Sequence, residues 1–229
     1  MNSATISADI ISYTSLVDTD KRKLESQIRV LLSDLSKTYK KDFFFGRIVQ
    51  GDYIECAVKK PKHILRIALL LKTFIKSLEL KASDTKDSRI KYFNEHAIRL
   101  AIAVAPLATI NAEKGIIDGE AIYLSGRAIK NISTSDKQKI VIKNTLFFCS
   151  EIKKEQDKYE TIISLLDTII SKCSSKQCEV IYLKLMGYSE KEISEKLGKF
   201  QSTISQHSTS AGWHSIEKTV NYFEQNISS

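Results

Sequence analysis

Apolar residues recur along this chain in two rhythms, every second residue and every third or fourth, and the change from one to the other lays out its elements. Ala4–Asp9 reads as a strand. From about Asp20 to Tyr39 a helix carries Leu24, Ile28, Leu31, Leu32 and Leu35 on one face. Phe43–Val49 and Tyr53–Val58 follow as strands, and Gln50-Gly51-Asp52 between them is a hairpin signal. Pro61 sits where a helix can begin, because its fixed φ suits the first turn, and Ile64, Ala68, Leu71, Ile75 and Leu78 give that helix a buried face. Lys81–Glu95 is polar and reads as loose. Ala97–Ala105 is a strongly apolar fourth strand, Gly119–Ile132 reads as a helix and Lys139–Ile142 as a last strand. The order β-α-β-β-α-β is the ferredoxin-like plan, so residues 1–150 are expected to form an α+β domain.

Beyond residue 150 the pattern is helical. Ser174-Ser175-Lys176-Gln177 and Ser189-Glu190-Lys191-Glu192 both read as capping boxes, in which a Ser oxygen accepts an orphan amide and the residue three later reaches back. The first starts a helix that offers Val180, Ile181, Leu183 and Leu185 to a core and ends at Gly187-Tyr188. The second starts a short helix, Glu190 to Leu197, closed by Gly198. Three residues on, Ser202-Thr203-Ile204-Ser205-Gln206-His207 begins another, with Ile204 facing inward. Helix, tight turn, helix is the helix-turn-helix plan, which makes residues 151–229 an all-α domain with a connecting helix. Trp213, Ile216, Val220 and Phe223 add a helical stripe, read as core or as a dimer seam.

Composition narrows the class without naming a function. A hydrophobic fraction of 42% and a charged fraction of 27% are those of an ordinary globular protein. There is no run of 18 apolar residues, and MNSATISADIISY lacks the basic flank and cleavage site of a signal peptide, so a cytoplasmic protein with no membrane partner is expected. Cys56, Cys149, Cys173 and Cys178 match no zinc spacing and read as reduced, mostly buried thiols. The formal net charge of +8 suggests a polyanionic partner. Yet residues 160–229 hold seven Lys, no Arg and eight Asp or Glu, a net of −1, so the basic part of the chain is residues 1–159.

Two carboxylates stand out on the expected sheet. Asp9 closes the first strand and Asp52 tips the hairpin expected beside it. Neighbouring strands lie about 4.8 Å apart, close enough for both side chains to reach one divalent cation. The plain alternative is that each Asp serves only its own turn. His63, His96 and His214 have no partner spacing and read as structural or exposed.

The segment SSKQCEVIYLKLMGYSEKEISEKLGKFQSTISQH resembles the helix-turn-helix of LuxR-type regulators and of sigma-factor region four over about 34 residues without a gap. Ser194 replaces the usual Ala of the Glu-Ile-Ala triplet, and Phe200 takes the place of a small or β-branched residue in the turn. The resemblance implies that Gln201, Ser202, Thr203, Gln206 and His207 point into the major groove of double-stranded DNA, with Lys191, Lys196 and Lys199 beside its backbone. Pairing of two half-sites implies a homodimer. The plainer alternative is a helical bundle that only packs against the other domain.

Residues 4–132 resemble the palm of class III nucleotidyl cyclases through ADIISYTSL, RIVQGDYIECAV, IRLAIAVAP and GEAIYLSGRAIK. That resemblance implies Mg²⁺ or Mn²⁺ on Asp9 and Asp52, and contacts to nucleotide phosphates from Ser12 and Arg127. It departs where chemistry is done: Tyr123 replaces an Asn that holds the transition state, Gly46 a purine-reading Lys, Ser12 a first-loop Gly and Ile116 the base-reading Asp, with Asp118 nearby. A palm without turnover, used to sense a nucleotide or to dimerise, is therefore expected; the alternative is a metal-dependent cyclase or phosphoryl-transfer enzyme with a DNA-binding tail. Asp9-Ile10, Gly51-Asp52-Tyr53 and Gly119-Glu120-Ala121, followed by the helical tail, look most like the SatD-type family across nearly the whole chain.

Overall fold

The central strand of the sheet, β1 (Ser3–Ile10), shows why this sequence makes a two-faced layer. Ala4, Ile6, Ala8 and Ile10 are buried in the main core, whereas Thr5 and Ser7 turn to the opposite face. The computed structural model describes residues 2–80, 89–136 and 144–228. Its other strands are β2 (Phe45–Gln50), β3 (Tyr53–Val58), β4 (Ile98–Ala105), β5 (Thr109–Asn111), β6 (Ile116–Asp118) and β7 (Leu146–Ser150). Five of them hydrogen-bond in the order β2-β3-β1-β4-β7, and β5 and β6 form a separate hairpin. All pairs in the large sheet are antiparallel except β4 with β7.

Helices α1 (Asp18–Thr38) and α2 (Ile64–Ser77) cover the apolar face, and each of Leu24, Ile28, Leu31, Leu32 and Leu35 of α1 is buried as its spacing requires. The short helix α3 (Arg89–His96) precedes β4, and α4 (Glu120–Asp136) lies on the other face. There the Ser125 hydroxyl meets those of Ser7 at 2.8 Å and Thr5 at 3.1 Å, which settles the polar residues of β1. The β-α-β-β-α-β order and the mixed α/β architecture are as the pattern predicts. Three details differ. Of the segment expected to be loose, residues 81–88 and the side chains of 89 and 90 are not described, but Arg89–His96 is helical because Phe93 anchors it in the core. The strand expected at Lys139–Ile142 lies outside the described residues; β7 pairs with β4 further on, where Leu146 and Phe148 are buried. The β5–β6 hairpin is too short to have shown a period.

The tail continues as α5 (Lys153–Ser171), α6 (Ser175–Leu185), α7 (Glu190–Leu197), α8 (Gln201–Ser210) and α9 (Trp213–Asn226). The boundary expected at residues 150 and 151 falls between β7 and α5, and the buried core runs across it. Phe148, Tyr159 and Phe223 pack ring against ring at centroid distances of 5.2, 6.1 and 4.8 Å. Ile216, Val220 and Phe223 of α9 are thus core residues, and the stripe they form is not an open seam.

Two polar ties reinforce the junction. Arg66 on α2 donates from Nε and Nη2 to Glu224 on α9 at 2.6 and 3.1 Å. Lys72 on α2, fully buried, pairs with Asp167 on α5 at 3.1 Å.

Candidate functional site

The carboxylates expected to share a metal lie one pairing position apart at the end of β1, and Asp9 already has a cationic partner. Asp9 stands directly opposite Arg99 on β4, and its carboxylate accepts from Arg99 Nη1 at 3.1 Å. Ile10 N–H donates to the Asp52 carbonyl at 3.0 Å, so Asp52 faces Ile10, one step past Asp9. Asp52 thus lies in the turn that opens β3, one position beyond the Asp9–Tyr53 pair.

Each carboxylate has its own tyrosine neighbour. Tyr13 packs against Gly51 and donates to Glu25; burial, that bond and the charges of Glu25, Asp52 and Asp18 push its pKa up to about 12. Tyr53, raised mainly by burial, is next to Glu55 and Asp9 instead. Among the described residues no group of three or more His, Cys, Asp or Glu side chains is poised to hold a metal. A carboxylate already engaged by the Arg99 guanidinium is a poor ligand for Mg²⁺ or Mn²⁺.

The phosphate candidates have local partners. Ser12 adopts a left-handed conformation (φ 56°, ψ 27°) and its carbonyl accepts from Ser15 N–H at 2.9 Å, closing a 3-10 turn. A residue with a Cβ is held there at a cost of about 1–2 kcal/mol. Arg127, largely exposed, lies back on its own helix, bonding Glu120 at 2.8 Å and the Tyr123 carbonyl at 3.2 Å. With Glu55, Ile122, Tyr123 and Lys130 it lines an open groove of about 410 Å³ beside α4. Tyr123 donates to Asp118, and Ile116 is exposed.

Gly46, at the position of the purine-reading Lys, is closely packed by side chains of α1 and β3. A Cβ there would lie 2.7 Å from Leu32 Cδ2 and 3.1 Å from Cys56 Sγ. Gly46→Ala is expected to destabilise the fold by about 1–3 kcal/mol through overpacking, read as a lower urea midpoint at unchanged slope. No change in midpoint would show that β2 can move off α1.

In the tail, both expected capping boxes form. Gln177 N–H and Glu192 N–H each donate to the Ser oxygen at 3.3 Å, and Ser174 N–H and Ser189 N–H donate back at 2.8 Å. The residues expected to form a helix-turn-helix make α7 and α8, joined by Gly198-Lys199-Phe200, with Gly198 left-handed at φ 59°. Val180, Ile193 and Ile204, one each from α6, α7 and α8, make a small core of their own, backed by Leu183, Tyr188 and Leu197.

That core fixes which side of α8 faces out. Gln201, Ser202 and Gln206 are exposed, as are Lys191, Lys196 and Lys199. Thr203 and His207 are half-buried. Thr209, which the motif does not single out, shares the exposed face with Ser202 and Gln206, and Ser205 borders it. Three- and four-residue spacing from Ser202 would have found both. Apart from His207 on its half-buried flank, this face carries no charged side chain. It offers hydroxyls and amides that both donate and accept.

His63 is half-buried, tilted against the Tyr39 ring at 5.0 Å and bonded to Asp42 at 3.0 Å; burial lowers its pKa despite Asp42. His96 is buried and likewise lowered by burial, and His214 is exposed. Cys56, Cys173 and Cys178 are buried. Among the described residues no helix is long and apolar enough to cross a membrane.

No family model and no curated protein matches the chain. Among solved structures, that of a bacterial light-regulated adenylyl cyclase is similar over 65% of this chain and 43% of its own, at 10% identity and a TM-score of 0.42. A second structure described in the same words covers 65% and 42%, at 11% identity and 0.41. The active GGEEF domain of a diguanylate cyclase from Vibrio cholerae covers 66% and 83%, at 13% identity and 0.39. The chain thus spans less than half the length of the light-regulated cyclases it matches, and at these identities the likeness assigns no residue a role.

Proposed function

We propose that this chain is a sequence-specific DNA-binding regulator, in which α7 and α8 act as a helix-turn-helix and α8 enters the major groove. The observation that carries this reading is the outer face of α8. A purely solvated helix face usually carries charge. Here Gln201, Ser202, Gln206 and Thr209 present neutral donors and acceptors, held at a fixed angle by Ile204 on the three-helix core. Such groups can hydrogen-bond base edges, and phosphate oxygens as well, without bringing a positive charge to the backbone. The amino-terminal sheet domain serves as a sensory or dimerisation module without nucleotide turnover. Homodimerisation doubles the half-sites read by one small module.

Phosphate contacts must come mainly from elsewhere, since residues 160–229 carry a net charge of −1. The basic surface around residues 40–62 is the best supplier. Lys40, Lys41, Lys59, Lys60 and Lys62 are all exposed there, and the 3-10 turn Pro61–His63 packs on α9. The enzyme alternative has less support, because Asp9 is paired with Arg99 and Gly46 offers no side chain to a base.

Selection from random duplexes with the full chain tests the reading: enrichment of one sequence is expected, and no enrichment at low salt overturns it. Replacing Lys40, Lys41 and Lys62 with Gln should then flatten the plot of log affinity against log salt by about 0.9 for each phosphate no longer neutralised, up to about 2.7 in all. An unchanged slope would move phosphate neutralisation to another surface.

A further inference from the structure

Phe200 is 82% exposed, the most exposed large apolar side chain among the described residues; Leu165 follows at 65%. It also occupies the N-cap of α8, where it makes no side-chain capping bond. Ser, Thr, Asp or Asn at an N-cap is worth about 1 kcal/mol over an apolar residue. The two preceding helices both use Ser in full capping boxes. So at one position the chain forgoes a cap and leaves an aromatic ring in water, and nothing among the described residues gains from it. A local rule broken without structural return marks a site of function.

Its neighbours limit what the ring can meet. Lys199 precedes it, Gln201 and Ser202 follow, and all three are exposed. If α8 enters the major groove, its first residues reach the base edges. The one apolar group the groove presents is the thymine C5-methyl.

We propose that Phe200 is a specificity residue that packs on a thymine methyl, at a base pair beside the one read by Gln201. This inference rests on the DNA-binding reading and adds a base preference to it. Burying one methyl-sized group against the ring predicts about a fourfold preference for thymine over uracil, which differ only in that methyl.

The test uses the full chain and the duplex it selects. Thymines are replaced by deoxyuridine one at a time, and binding is compared for the wild type, Phe200→Leu and Phe200→Ala. The wild type should lose about fourfold at one thymine per half-site. Phe200→Ala should be indifferent to that methyl, and Phe200→Leu should keep part of the effect. Unchanged thermal midpoints for both variants would place the loss at the interface. If no thymine in the selected site is methyl-sensitive, or if Phe200→Ala keeps the sensitivity, the inference is overturned while DNA binding stands. If no sequence is selected at all, the DNA-binding reading fails and takes this inference with it.

Discussion

Asp167→Ala is expected to cost the fold about 3–5 kcal/mol, because it strands a buried ammonium. Lys72 is fully buried on α2, and its Nζ lies 3.1 Å from Asp167 on α5, 2.6 Å from Thr145 Oγ1 and 3.2 Å from the Ile98 carbonyl. Asp167 in turn accepts from the N–H groups of Thr145 at 2.5 Å and Leu146 at 3.1 Å, which seats the start of β7. Truncating the carboxylate leaves the ammonium without its counter-charge and two amides without their acceptor, all away from water. The paired change Lys72→Met with Asp167→Leu removes both charges and should recover the part of the loss due to the unpaired ammonium, while the Thr145 and Leu146 amides still lack an acceptor. Urea unfolding of the two variants measures this; a loss under about 1 kcal/mol in Asp167→Ala would show that water reaches Lys72.

The same pair has a pH signature. Burial pushes the Asp167 carboxyl up, but the Lys72 ammonium and the bonds from Thr145 outweigh it and hold the group below its ordinary value of 3.8. A folded-state pKa below the unfolded one means that the stabilisation is complete above about pH 4 and fades as acid approaches the folded value. Asp167→Asn should therefore flatten the acid limb of stability against pH, and leave the region from about pH 6 to 8 parallel to the wild type.

Periodicity carried most of the fold. Strands β1, β3 and β4 and helices α1, α2, α4 and α6 to α8 lie where alternating or helical apolar positions put them, since each must bury one face. The misses have physical causes. Helix α3 spells RIKYFNEH and hides only a short apolar element, with Phe93 the buried anchor that is described. Strands β5 and β6 are three residues each, shorter than any period. The continuous core was invisible because Arg66 and Glu224, or Lys72 and Asp167, are about a hundred residues or more apart.

The candidate sites were legible to different degrees. Strand spacing brought Asp9 near Asp52, while the pairing with β4, which the sequence did not show, gave Asp9 to Arg99. On α8 the gapless motif match put Thr203 and His207 among the readers, but helical phase half-buries both and exposes Thr209 instead. A residue's place in a motif constrains its side chain less than the face its helix must hide.

That phase yields the largest functional prediction. Gln201→Ala with Gln206→Ala should abolish the preferred sequence, because a bidentate amide–adenine pair is worth about 1–3 kcal/mol of discrimination and two are removed. The combined loss of about 2–6 kcal/mol corresponds to roughly 30- to 10⁴-fold in the ratio of specific to nonspecific binding. Both side chains are neutral and exposed, so the salt dependence of binding and the unfolding midpoint should stay as in the wild type. Thr203→Ala and His207→Ala, at half-buried positions, should alter the ratio far less than Gln206→Ala. Competition of the selected duplex against random DNA separates these outcomes at one salt concentration. A double variant that still selects the wild-type sequence would remove α8 from the groove, and the lysine-rich surface would then account for binding without any reading of bases.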